Sequence, residues 1–116
     1  MTSRSVHEYL LDLHENILAI ESFIDNDPSI VGSDLRTRYA VIRAYEIIGH
    51  VAKNLPTELL EAYPQVDWKA IKGFRDFLAH NYNRVRIENI LDALDDLPVL
   101  KSTVEAMLAA NPPIVE

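Results

Sequence analysis

Apolar residues near the start of the chain recur every three or four positions: Val6, Tyr9, Leu10, Leu13, Ile17, Ile20 and Ile24. On a helix that advances about 100° per residue they form one stripe, whereas a strand would scatter them over both faces. The period returns in Trp68, Ile71, Phe74 and Leu78, and again from Ile87 through Ile90, Leu91, Leu94 and Leu97 to Val104, Met107 and Leu108. Between them, Tyr39, Ile42, Tyr45, Gly49 and Ala52 lie along one part of a helix surface that Ile47, Ile48 and Val51 widen. No alternating stretch of strand length interrupts this. A chain whose apolar surface comes only in stripes must pack helix on helix.

Local signals place the boundaries. The first helix runs from about Arg4 or Val6 to Asp25, with Ser5 and Glu8 at capping-box spacing. "DNDPSIVGSD" (Asp25 to Asp34) is rich in turn formers and reads as a break. A second helix starts after Ser33 or Asp34 and runs to about Leu55, where Pro56 stops it. "TELLEAY" (Thr57 to Tyr63) makes a short helical turn before Pro64, and Asp67 caps a third helix ending around His80 to Asn83. A fourth begins near Arg86 and should be kinked or split at Pro98. The expected fold is all-α, an antiparallel bundle of four main helices plus a short one, with residues 1–110 as the domain and 111–116 as a loose tail.

Composition narrows the function classes. At 116 residues and 48% apolar content the chain fits one domain with its own core. It has no cysteine, which excludes disulfides and thiolate metal sites, and no apolar run long enough to cross a bilayer or serve as a signal segment. A soluble cytoplasmic protein is expected. The net charge of −7 argues against nucleic-acid binding by an evenly charged surface, but the charge is uneven. Residues 36–86 hold nine basic and five acidic groups, a balance of +4 that leaves −11 elsewhere. That asymmetry fits an anion-binding face, a surface for an acidic partner, or merely solvated helix faces.

Inside the basic window lies "KGFRDFLAHNY" (Lys72 to Tyr82), which puts a guanidinium, an imidazole and a phenol near one helix end. On a continuous helix Arg75 and His80 would diverge by about 140°, while Asp76 and His80 would share a face, so that Asp76 could orient the imidazole or raise its pKa. Arg75 and Tyr82 would align if the helix persisted; fraying at His80 would let all three converge. Arg grips phosphate in a fixed fork and His moves protons near neutral pH, a pairing suited to metal-free RNA cleavage. The leaving oxygen also needs a proton, and a second His from a two-fold mate would supply it. Capping or ion-pair contacts at a helix end are the purely structural alternative.

"RDFLAHNY" resembles the Arg-x4-6-His signature of HEPN domains with the His-x-Tyr extension of the HepT-like toxins. "AVIRAYEIIGHVAKNLP", "YPQVDWKAIKGFRDFLAHNY" and "ILDALDDLPVLK" carry the resemblance, in the expected order, over essentially the whole chain. The resemblance implies a helical HEPN fold that forms a two-fold homodimer with facing motifs. It also implies a metal-independent ribonuclease toxin, acting on RNA (tRNA among the candidates) without a cofactor and encoded with a minimal nucleotidyltransferase (MNT) antitoxin. Arg75 and His80 would be the catalytic pair. Tyr82 would accept AMP that the antitoxin transfers from ATP with Mg²⁺, adding charge and bulk beside Arg75. A non-catalytic HEPN module that binds a nucleotide or the nucleotidyltransferase is the alternative. One position departs from the pattern: after "EIIG" the family usually has Glu, and this chain has His50.

Supporting candidates are Asp76, Asn81, Glu46 and Arg43, with Glu46 able to contact Arg75 or to serve as a semi-buried structural acid paired with Arg43. His7 and His14 share a face but lie about 10 Å apart, too far for one metal, and read as surface residues. Asp92, Asp95 and Asp96 read as a solvated acidic face, with a divalent cation the alternative. Trp68 reads as core, with a base-stacking platform the alternative.

Overall fold

Three of the long helices start where a short polar side chain turns back on the chain. In the computed structural model, which describes residues 4–114, Ser5 Oγ accepts a 3.2 Å hydrogen bond from the Glu8 amide and opens α1 (Val6–Ile24). Asp34 accepts from the Thr37 amide at 3.1 Å and opens α3 (Leu35–Lys53). Asp67 accepts from the Ala70 amide at 3.0 Å and opens α5 (Trp68–His80). Each cap satisfies an amide that the helix itself leaves unpaired, typically stabilising it by about 1 kcal/mol. Hydrogen bonds from Thr37 hold the Asp34 carboxyl below its ordinary range.

The break after α1 is more ordered than its composition suggests. Asp25 and Asn26 reverse the chain in the left-handed region, at φ 44° and 63°. The chain then forms a single helical turn, α2 (Ile30–Ser33), where the sequence reads as loop. Tertiary burial is the reason: Val31 is fully buried against the core and draws this turn inward. After α3 comes the short α4 (Thr57–Glu61). The expected fourth helix is split into α6 (Ile87–Asp95) and α7 (Leu97–Ala110). Pro98 lies in the first turn of α7, where its missing N–H costs nothing.

The core joins the stripes. Leu10, Leu13, Ile17 and Ile20 of α1 meet Val41, Ile48 and Ala52 of α3, and Ile90, Val104 and Met107 close the other side, all of them fully buried. Each large aliphatic side chain so buried stabilises the fold by about 1.5–3 kcal/mol. Trp68 is core, as its spacing suggests, and donates its indole N–H to the Tyr63 carbonyl at 3.1 Å. His7 and His14 are half-buried rather than open surface. His7 Nδ1 donates to the Asn111 carbonyl at 2.9 Å, and His14 lies 3.0 Å from the Glu105 carboxylate, so both tie α1 to the chain beyond α6. Of the tail, Asn111 is held in this way and Pro112 to Ile114 are exposed; Val115 and Glu116 lie outside the described residues. Among the described residues there is no strand, and no helix is long and apolar enough to cross a membrane.

α5 matters most for the site. It packs chiefly against α3, with Phe74 edge-to-face on Tyr45 at 5.5 Å between ring centroids. Its flank toward α6 and α7 borders a cavity of about 430 Å³ walled by Ile48, Ile71, Phe74 and Leu97.

Candidate active site

The position of Arg75 is fixed by a glycine on another helix. A Cβ placed on Gly49 of α3 would stand 2.2 Å from Arg75 Cβ, 2.9 Å from its Cγ and 3.1 Å from the Ile71 carbonyl oxygen. Only a residue without a side chain lets α5 cross α3 this closely. The stem of Arg75 therefore lies on the α3 backbone, and the side chain as a whole is 29% exposed. Mid-helix glycine costs about 1 kcal/mol relative to alanine, so the close approach supplies the physical reason for it.

Asp76 holds the head of that side chain. Arg75 Nη1 donates to Asp76 Oδ1 at 3.1 Å, and Lys53, at the end of α3, donates to the same oxygen. The Lys53 ammonium, followed by Arg75, keeps the Asp76 carboxyl below its ordinary range. Beyond Arg75 opens a small cavity of about 260 Å³ lined by Arg43, Glu46, Ile47, His50 and Arg75. Glu46 is half-buried and pairs with Arg43 at 3.8 Å; it shares the cavity with Arg75 without an ion pair to it.

His80 is placed differently. The helix does not fray before it: the Asn81 amide still donates to the Phe77 carbonyl at 2.9 Å. His80 is exposed on the last turn, and its Nδ1 lies 2.9 Å from the main-chain carbonyl of Asp76. A carbonyl only accepts, so Nδ1 carries the hydrogen, and in the neutral form of the ring the lone pair of Nε2 faces away from that bond. Asp76 thus orients the imidazole as expected from their i, i+4 spacing, but through its backbone oxygen; its carboxylate is engaged by Lys53 and Arg75.

The fraying at His80 that would let Arg75, His80 and Tyr82 converge does not occur. An intact helix keeps the first two about 140° apart. Helix α5 ends at His80, and a 3₁₀ turn (Tyr82–Arg84) carries Tyr82 out to 81% exposure. Asn81 is the pivot, its φ of −134° and ψ of 37° ending the α-helix. Arg43 and Glu46 do join the Arg75 cavity, and so does His50. Gly49 and Lys53 were not legible as site residues; a glycine inside an apolar helical pattern was the one signal for the former.

An all-helical domain with a packed arginine and an exposed histidine at the end of one helix defines the class. Residues 13–107 match the family described as Ribonuclease HepT-like. The chain belongs to the HepT-like ribonuclease family. A protein of Methanocaldococcus jannaschii named as a candidate RNase is 39% identical over 94 residues, covering 79% of this chain and 77% of its own. The "Probable ribonuclease HepT" of Thermococcus cleftensis is 35% identical over 108 residues, covering 90% and 96%. A candidate RNase of Caldanaerobacter subterraneus is 37% identical over 102 residues, covering 87% and 83%. No solved structure gives a significant match.

Proposed function

We propose that this chain is the toxin of a HEPN/MNT pair, a metal-independent endoribonuclease whose cutting site is completed by a second copy. The observation that carries the reading is the contrast along α5: a guanidinium braced by Asp76 and an imidazole whose Nε2 is free at the helix end. His80 Nε2 takes the proton of an RNA 2′-hydroxyl as its oxygen attacks the adjacent phosphorus. Arg75 balances the charge that builds on the phosphoryl oxygens. The bond to the 5′-oxygen breaks and that oxygen takes a proton from the protonated His80 of the other protomer, leaving a cyclic 2′,3′-phosphate and a 5′-hydroxyl. Facing motifs across a two-fold axis supply both imidazoles.

Tyr82 is the proposed switch. Its exposure suits attack on the α-phosphorus of ATP held with Mg²⁺ by the nucleotidyltransferase, whose base takes the phenolic proton as pyrophosphate leaves. The adenylate would then crowd the RNA path with negative charge.

The test uses purified protein and tRNA in EDTA. Wild type is expected to cut, and His80→Ala to cut about 10²–10⁴-fold more slowly. Because His80 is exposed, its stability should change by no more than about 0.5 kcal/mol. Cutting that is equal in wild type, His80→Ala and Arg75→Ala would overturn the assignment. Co-production with the nucleotidyltransferase should add adenylate mass to wild type and none to Tyr82→Phe. RNA binding without cutting would instead favour the non-catalytic module.

A further inference from the structure

The segment that follows α5 carries a second set of features that cleavage itself does not use. Tyr82 is 81% exposed, the most open of the exposed aromatic side chains, and packs against no other ring. Past the 3₁₀ turn the backbone is extended, with φ −69° and ψ 124° at Val85 and φ −105° and ψ 156° at Arg86. Successive side chains of an extended chain point to opposite sides. Val85 and Ile87 pack against the core, so Arg84 and Arg86 both face outward, and both are exposed.

The turn itself carries no acid, and the nearest one after it in sequence is Glu88, in the first turn of α6. Residues 80–86 contain no acid, and among the described residues no carboxylate forms an ion pair with Arg84 or Arg86. By contrast, Lys53 and Arg75 are engaged by Asp76, and Lys101 by Glu21. Arg36, Lys69 and Lys72 likewise form no ion pair among the described residues; what distinguishes Arg84 and Arg86 is that they lie two residues apart beside an exposed phenol. Residues two apart in an extended strand lie about 6.6 Å from each other. That is comparable with the spacing of neighbouring phosphates along a single RNA strand.

We propose that Tyr82, Arg84 and Arg86 form the platform that selects unpaired RNA for this nuclease. An unstacked base lies on the Tyr82 ring, and Arg84 and Arg86 take consecutive phosphates. In A-form RNA the bases are stacked and paired, so a duplex offers this platform no face. The proposal deepens the ribonuclease reading and rests on it for the identity of the substrate. It gives adenylylation of Tyr82 a second consequence, since the adenylate would occupy the stacking surface.

A fluorescein-labelled 2′-O-methyl oligouridine lacks the attacking hydroxyl, so its anisotropy reports binding alone on the full chain. It should bind at least about tenfold tighter than a matched 2′-O-methyl duplex. Tyr82→Phe should keep that affinity and Tyr82→Ala should lose about tenfold. Arg84→Gln and Arg86→Gln should each reduce the slope of log affinity against log salt by about 0.7. Equal affinity for the duplex, or indistinguishable Phe and Ala variants, would overturn the proposal. So would arginine variants that lower the melting temperature with the slope unchanged, since the two cations would then serve only the negative end of α5. The two readings fail separately. Platform binding with no cutting of unmodified RNA removes the nuclease and leaves the platform. Cutting with unchanged KM in all the Ala and Gln variants does the reverse.

Discussion

The two ends of the Arg75–His80 stretch are built to opposite specifications. Arg75 lies on the α3 backbone at Gly49 and is tied to Asp76, itself held by Lys53. Five residues on, His80 has one main-chain hydrogen bond, and Tyr82, Arg84 and Arg86 beyond it stand open. On the proposed reading, the difference separates two tasks. A group that stabilises charge works best when fixed before substrate arrives, because nothing then reorganises during reaction. Groups that meet a polymer and pass protons must be reachable from outside. One helix supplies both because its middle is packed and its end is not.

Gly49→Ala should break the packed half with the largest effect on stability. The added methyl overlaps the stem of Arg75, and relief requires α5 to move away from α3. Overpacking of this kind costs up to about 3 kcal/mol, of which alanine's better helix propensity returns about 1. A net loss of about 2 kcal/mol should lower the melting temperature by roughly 10 °C, with cutting impaired because Arg75 is displaced. An unchanged melting temperature would show that the crossing is looser than described.

The helix starts were legible in the sequence because Ser5, Asp34 and Asp67 act on amides three residues away. Pro98 announced the division of the last helix for the same local reason. α2 was not legible, since a run of turn formers became helical only to bury Val31. The site divides in the same way. Arg75, Asp76, His80, Asn81 and Tyr82 belong to one local motif, which is why the sequence alone puts them forward as candidates. The close approach at Gly49 and the Lys53 contact depend on how α3 crosses α5, which no local spacing encodes, whereas Arg43 and Glu46, supporting candidates in the sequence, do line the Arg75 cavity. The expected convergence of the motif assumed a frayed end, but the Asn81 amide keeps the helix closed through His80.

A smaller effect should separate bracing from stability. The Lys53 ammonium, then Arg75, holds the Asp76 carboxyl below the ordinary carboxylate range, so its contribution is fully present at neutral pH. It is lost as pH falls through the lower folded value. Asp76→Asn should therefore lower stability slightly at pH 7, the pair being largely exposed, and the difference from wild type should vanish as pH falls below about 4. Arg75 would nonetheless lose its tether, and cutting at pH 7 should fall about tenfold through loss of positioning. Unchanged cutting would mean that Gly49 alone sets the guanidinium.

The central claim is that the open half of the helix works in pairs, one imidazole from each of two chains. Co-refolding wild type with His80→Ala in varied ratios, at constant total protein, tests it through the initial rate of RNA cutting. If both imidazoles are required, random pairing makes the rate follow the square of the wild-type fraction, falling to about a quarter at an equal mixture. A rate proportional to that fraction, about half at an equal mixture, would show that each chain cuts alone and would contradict the account.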